Sequence, residues 1–465
     1  MEACSLKHIT TACSGEQMSG LGETRVYRVC TDSRQVKAGD LFFALRGDRF
    51  DGHDFLRAAT EQGACAVVVE RGRVPADWNG CAMIAVEDTR GALGRLAAAY
   101  RKDFVLPVVA VGGSNGKTTT KELVASVLKE KLTTLRSEAS FNNDIGVPLT
   151  LLRLDKSYQA AVLETGTNHP GELAPLVKMI RPNYGVITSI GREHLEFFGD
   201  LAGVAREEGW LAELLPADGK LFVDGDNEWA SHTAARTRAQ VVRVGFTAAN
   251  DWRARGVRLD KQGMRFHVDG PKADFAGEYR IHLLGRHQVV NALFAIAIGM
   301  ELGLGRADVA HGLAKCQPPK MRLQLWETGG VSLLDDTYNA NADSMLAALR
   351  TLQELPCKGR RIAVLGDMAE LGAHSAEAHE ETGRQAAELG VAQLFAVGEM
   401  APVMGRAARA AGLNRVFEFV DVETAAAAVK SFVKPGDLVL VKASRAMRLE
   451  RISELLRSGE AVRRN

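Results

Sequence analysis

The stretch Gly113-Ser114-Asn115-Gly116-Lys117-Thr118-Thr119 carries the clearest chemistry in the chain. A glycine-rich turn that feeds a helix aims backbone N–H groups at an anion, and a lysine adds positive charge. A hydroxyl at Thr118 can reach the magnesium that accompanies a nucleoside triphosphate. Val111 stands where the generic phosphate-loop pattern has its first glycine, so this is a shortened G-x-x-G-K-T-T form. The chemistry is phosphate binding; the plain alternative is a strand-to-helix turn with an exposed lysine. Glu164 ends the run AAVLE, where a strand-end carboxylate could hold the same magnesium, directly or through water. Taken alone it would be a solvated strand-end acid. His194, in ITSIGREHLEFFG, could ligate a cation, orient a phosphate or a water, or be an ordinary hydrogen-bonded residue. Glu193 and Glu196 flank it and could be surface charge.

LLDDTYNANADS (333–344) offers Asp336, Tyr338 and Asn339 after a strand-like run. These side chains could read a ribose or a polar substrate, or form local turn caps. MAELG (368–372) and KASR (442–445, with Ser444 and Arg445) follow strand-like runs of the same region. Three polar loops on one sheet edge suggest a site more than any one of them.

The elements that must position these residues are legible as alternating runs. VVAVG, AAVLET, GVITSI and KLFVDGD read as strands, with helical patterns such as TTKELVASVLKEKL between several of them. This order implies a mainly parallel sheet covered by helices, with ligands beyond the carboxyl ends of its strands. Three blocks follow: 1–88, 89–322 and 323–465. The first holds DLFFAL, a helical DFLRAATEQGA and the strand CAVVVE. The middle block opens on an amphipathic connecting helix over Gly91–Phe104. The last reads as a smaller open α/β domain, with runs VSLLDD, RIAVLGD, QLFAVG and DLVLVKAS and no G-x-G-x-x-G.

At 465 residues the chain is too long for one ordinary core. A net charge of +1 argues against a broad nucleic-acid surface. No apolar run approaches a membrane span, and MEACSLKHIT has no apolar signal core. The 7 cysteines form no C-x-x-C pair, which suggests neither a zinc site nor a disulfide framework and makes a reducing cytoplasm the natural setting.

With those residues laid out, the chain resembles a Mur ligase over essentially its whole length. TDSRQVKAGDLFFALRGDRFDGHDF, GSNGKTTTKE, SFNNDIGVPLTLL, ETGTNHPGE, GRHQVVNAL, DDTYNANADS, LGDMAELG and KASRAMRLE carry the likeness. It implies a three-domain α/β architecture. An N-terminal uridine-nucleotide domain precedes a central P-loop ATPase-type parallel sheet and a C-terminal Rossmann-like domain. It implies ATP and Mg2+ as cofactors and an acyl-phosphate intermediate. The more specific signatures imply the member that joins D-alanyl-D-alanine to UDP-MurNAc-tripeptide. By the same resemblance Lys117 would bridge the β- and γ-phosphates. Thr118 and Glu164 would hold one magnesium and His194 a second. Asn291 would contact the base, Asp336 the ribose, and Arg322 would lie near the nucleotide. Ser33 and Arg34 would belong to the uridine pocket. Asn142, Tyr338, Asn339, Ser444 and Arg445 would face substrate. A monomer is the default expectation.

The chain also departs from the family. Glu208 stands where most members have a carbamylated lysine, and Trp210 where they have a nearby acid. Glu208 is expected to supply the carboxylate directly; otherwise it is a surface acid on a helix. Ala443 and Ala342 stand where glycine and proline are common. Competing readings are a relative that adds a single amino acid, a nucleotide-binding scaffold without turnover, and a P-loop motor or switch.

Overall fold

A computed structural model of the chain describes residues 1–47, 50–73 and 75–458. Asp48 and Arg49 of the GDRFDGHDF signature lie outside the described residues. The central sheet has nine strands. Their order is Gly277–Ile281, Gly263–Asp269, Trp252–Asp260, Gln240–Gly245, Lys220–Asp224, Tyr184–Ile187, Val108–Gly112, Ala160–Glu164, Thr134–Arg136. From Thr134–Arg136 to Trp252–Asp260 every neighbour pair is parallel. The last two strands are antiparallel, an extension that strand-helix alternation did not announce.

Val108–Gly112 is buried throughout because helices cover both faces. Its side chains alternate: Val108 and Ala110 join one core, Val109 and Val111 the other. The first core also takes in the connecting helix Thr89–Arg101 and the N-terminal sheet. That sheet has five strands ordered Glu16–Ser19, Ala82–Val86, Ala66–Glu70, Asp40–Phe43, Arg28–Cys30. A short ribbon pairs Cys4–Ser5 with Arg25–Val26.

The C-terminal sheet has six strands. Their order is Gln324–Thr328, Val331–Asp335, Leu438–Lys442, Arg361–Gly366, Gln393–Val397, Val416–Phe419. Val331–Asp335, Leu438–Lys442 and Arg361–Gly366 are parallel neighbours. Their carboxyl ends bring the loops at 336–344, 443–449 and 367–374 onto one edge, as the sequence suggested. No helix among the described residues is long and apolar enough to cross a membrane.

Candidate active site

Three adjacent parallel strands deliver the chemistry. Val108–Gly112 runs into the phosphate loop, Ala160–Glu164 ends on its acid, and Tyr184–Ile187 leads to the loop that carries His194. Gly113 and Gly116 adopt φ of 102° and 90°, a region that favours glycine. A Cβ on Gly113 would lie 2.5 Å from Thr188 Oγ1, and one on Gly116 2.6 Å from Asn291 Oδ1. The loop is thus pressed against its own domain. The Gly113 amide donates to Glu208 Oε2 at 2.6 Å. The Ser114 amide donates to Ser189 O at 2.8 Å, and the Asn115 amide to Ser189 Oγ at 3.1 Å. Helix Lys117–Leu128 starts without a side-chain cap. Its first-turn amides, at Lys117, Thr118 and Thr119, carry the positive end of the helix dipole.

Lys117 Nζ donates to Gly113 O at 2.5 Å and Ser114 O at 3.1 Å, and lies 3.3 Å from Glu193 Oε2. Burial works to lower the lysine pKa, but Glu193, Glu208 and Glu164 together hold it above its ordinary value. Glu193, open to a surface reading in sequence, is 6% exposed; Glu196 is exposed. Thr118 Oγ1 donates to Glu164 Oε1 at 3.2 Å, which also accepts Asn142 Nδ2 at 3.0 Å. Glu164 is 1% exposed, so it is not a solvated strand-end acid.

Glu208 is not a surface acid either: it is 1% exposed. Helix Leu201–Glu213 drives its carboxylate under the phosphate loop. Burial pushes the Glu208 carboxyl up to about 7, against the pull of Lys117.

The carboxyl ends of the central and C-terminal sheets face each other across this loop. Arg322 Nη2 donates to Thr118 Oγ1 at 3.0 Å, and its guanidinium stacks 4.2 Å from the Tyr338 ring centroid. Tyr338 OH donates to Ser140 Oγ at 2.8 Å, and Asn341 Nδ2 to Asn115 Oδ1 at 3.0 Å. Arg192 pairs with Asp343 at 2.7 Å and Glu381 at 2.6 Å. His194 Nδ1 meets Glu370 Oε2 at 2.5 Å.

Other expected residues hold contacts within their own domains or segments. Asn291 sits behind Gly116, accepting from Thr120 at 3.1 Å and donating to Gln288 at 2.8 Å. Asp336 pairs with Lys442 at 2.6 Å and accepts the Leu323 amide at 3.1 Å. The Asn339 carbonyl accepts from Lys442 at 2.9 Å, and its Oδ1 accepts the Arg445 amide at 3.3 Å. Ser444 is buried, while Arg445 is exposed and pairs with Glu450 at 3.0 Å. Ser33 and Arg34 form a short 3-10 turn after Arg28–Cys30 in the N-terminal domain, with Arg34 held by Asp32 at 2.9 Å.

Sequence reasoning missed Lys121, Ser140, Ser189, Arg192 and Asn341. Lys121 had a signal: it follows Lys117 by four residues and so shares its helix face. It is fully buried, donates to Ala139 O at 2.5 Å, and lies 3.6 Å from Glu164 Oε2.

The donor set fits magnesium. Glu164 Oε2 and Glu208 Oε1 are buried with no hydrogen-bond partner. Among the described residues no three His, Cys, Asp or Glu side chains form a metal cage. Magnesium prefers one or two protein oxygens plus substrate phosphates and water. The Thr118–Glu164 pair is that kind of partial site.

Family models match residues 25–101 (Mur ligase family, catalytic domain), 111–299 (Mur ligase middle domain) and 321–445 (Mur ligase, glutamate ligase domain). The chain is 36% identical to UDP-N-acetylmuramoyl-tripeptide–D-alanyl-D-alanine ligase of Escherichia coli (strain K12), over 98% of this chain and 99% of the relative. It is 35% identical to the ligase of the same name from Bacillus subtilis (strain 168), over 92% and 93%. A crystal structure of MurF from Acinetobacter baumannii superposes with a TM-score of 0.90 at 32% identity, covering 98% of this chain and 99% of that one. MurF ligase from Thermotoga maritima in complex with ADP gives 0.82 at 28%, covering 94% and 99%. Three family models cover most of the chain and relatives more than 30% identical align over nearly all of it, so the chain belongs to the Mur ligase family.

Proposed function

We infer that this chain joins D-alanyl-D-alanine to UDP-MurNAc-tripeptide with ATP, in peptidoglycan precursor synthesis. The observation that carries the reading is the convergence of Lys117, the Thr118–Glu164 pair and Arg322 between two facing sheet ends. Relatives that bear this activity in their names align over nearly the whole chain.

The tripeptide's terminal carboxylate oxygen attacks the γ-phosphorus of ATP, and the bond to the ADP oxygen breaks. The amine of D-alanyl-D-alanine then attacks the acyl carbon. A C–N bond forms, the C–O bond to phosphate breaks, and the amine releases a proton. Both reactants of the first step are anions, so catalysis is mainly alignment and charge neutralisation. Lys117 would exchange its carbonyl contacts for the β- and γ-phosphates. The first-turn amides of Lys117–Leu128 would face the same oxygens. Arg322, planar and already at the Thr118 hydroxyl, suits phosphate oxygens from the C-terminal side. Magnesium, held by Thr118 and Glu164 with His194 toward a second ion, would offset phosphate charge when bound.

By the family resemblance Asn291, behind Gly116, would serve the base side and Asp336, beside Lys442, the ribose side. Tyr338 reaches Ser140 and Asn142 reaches Glu164, whereas Asn339, Ser444 and Arg445, on the C-terminal edge, would face the amine. Ser33 and Arg34 would take the uridine nucleotide. We assign the uridine-nucleotide domain to 1–88, the ATP domain to 89–322 and the amine domain to 323–465. A monomer is the oligomeric state we propose. A cytoplasmic setting suits the free cysteines of the described residues.

The test is phosphate release by purified protein with ATP, magnesium and UDP-MurNAc-tripeptide, with and without D-alanyl-D-alanine. Release that needs both substrates, with a UDP-MurNAc-pentapeptide mass, is the expected result. ATP hydrolysis indifferent to both would defeat the reading.

A further inference from the structure

His194 and Glu370 lie 176 residues apart and in different domains, yet Nδ1 and Oε2 are 2.5 Å apart. Both residues have positive φ, 49° and 59°, although neither is glycine. Such backbones persist only where the surroundings over-determine them. Here they are tied to each other. The Glu370 carbonyl accepts the Glu196 amide at 3.1 Å, and the His194 carbonyl accepts the Phe197 amide at 2.9 Å and the Phe198 amide at 3.0 Å. His374 Nε2 meets Gly199 O at 3.0 Å just beyond. A Cβ on Gly372 would stand 3.1 Å from Glu196 Cα, so the segments are in close contact.

This geometry sets the imidazole from outside its own domain. Nδ1 is committed to Glu370, which leaves Nε2 on the side of Glu193, 4.0 Å from its Oε2. Glu193 in turn stands 3.3 Å from Lys117 Nζ. A histidine that ligates a cation through one ring nitrogen is oriented by what the other nitrogen bonds, and a carboxylate there also raises its basicity. Other acids near the ring serve elsewhere: Glu193 faces Lys117, and Glu164 is bound by Thr118 and Asn142.

We propose that Glu370 is a positioning residue for His194, so that Nε2 faces the phosphate-loop side only when the C-terminal domain is docked. The arrival of the amine-bringing domain then completes the cation-binding side of the ATP site. Acyl-phosphate chemistry waits for the partner that consumes its product. This coupling rests on the ligase reading, whereas the positioning itself does not.

The experiment titrates Mn2+ against full-length protein saturated with a non-hydrolysable ATP analogue, following free Mn2+ by EPR. Wild type, Glu370→Ala, Glu370→Gln and His374→Ala are compared, with kcat and KM for ATP measured alongside. Glu370→Ala should bind its weaker Mn2+ about ten- to a hundredfold less tightly. Its kcat should fall while its KM for ATP stays within about twofold. The Gln carboxamide oxygen can still accept from Nδ1, so Glu370→Gln should recover most of the Mn2+ affinity. His374→Ala loses a docking contact of the same segment and should bind Mn2+ like wild type. Unchanged Mn2+ binding in Glu370→Ala, or a Glu370→Gln protein that binds Mn2+ no better than Glu370→Ala, would overturn the proposal. Wild type that makes no pentapeptide, with Mn2+ binding still dependent on Glu370, would instead remove the ligase reading and keep the positioning role.

Discussion

Glu208 accepts the Gly113 amide at 2.6 Å from beneath the phosphate loop, while its other oxygen is buried without a partner. A carboxylate belonging to the side chain needs no added carbon dioxide. Activity is expected to be indifferent to bicarbonate. Glu208→Gln, which keeps the shape and loses the charge, should lower kcat about a hundredfold or more. Steady-state ligation assays with bicarbonate removed and restored check both points. Full activity in Glu208→Gln would make the carboxylate dispensable.

The same residue gives stability a pH dependence. Its carboxyl is raised from 4.5 to about 7 by burial. Between those values the folded chain binds more protons than the unfolded chain, so stability falls as pH rises through that window. Glu208→Gln removes this slope. Asp224, also raised to about 7 by burial, titrates in both proteins and cancels in the difference. Thermal denaturation of the two proteins at several pH values across the window reads it directly; parallel curves would contradict a buried ionisation at Glu208.

Lys117, Thr118 and Glu164 are expected to govern phosphoryl transfer. Lys117→Ala and Glu164→Gln should each lower kcat by about 10²–10³-fold with the fold intact. Product-mass assays paired with circular dichroism check this. A Glu164→Gln enzyme of normal rate would place the metal elsewhere.

Arg192 ties the 188–194 loop to two helices of the C-terminal domain through Asp343 and Glu381. Arg192→Met should loosen docking. KM for D-alanyl-D-alanine is expected to rise about tenfold while nucleotide affinity holds, with a larger radius of gyration in X-ray scattering. Unaltered scattering and kinetics would show that the remaining cross-domain contacts suffice.

Lys121 is a lysine with no exposed surface, set between Ala139 O and the Glu122 and Glu164 carboxylates. Removing one partner of a buried ion pair costs about 3–5 kcal/mol. Lys121→Met should therefore lower the melting temperature markedly, and Lys121→Arg, too broad for the space, should not restore it. Calorimetry measures both.

The phosphate loop, the strands that frame it and the C-terminal polar loops were legible because each is a local pattern. A β-branched run followed by Gly, Lys and Thr needs no distant partner to be recognised. Lys121 was missed because its burial depends on the 137–142 segment, whose Ala139 carbonyl it meets. The surface alternative for Glu193 could not be settled in sequence for the same reason: its neighbour is Lys117, 76 residues away. The pairings of Arg192 and His194 cross between domains, where sequence spacing carries no information. The antiparallel strands Gly263–Asp269 and Gly277–Ile281 were missed because they break the strand-helix alternation that revealed the rest.

The amides of Gly113, Ser114 and Asn115 are each anchored to Glu208 or Ser189 by the protein's own fold. The loop is thus a cast mould and not a flap that closes round its guest. The conformational entropy lost in ordering it belongs to the free energy of folding and not to that of nucleotide capture. Nucleotide affinity of the folded chain should consequently be insensitive to modest losses of global stability, and weaken only where the contacts that hold these three amides are themselves lost.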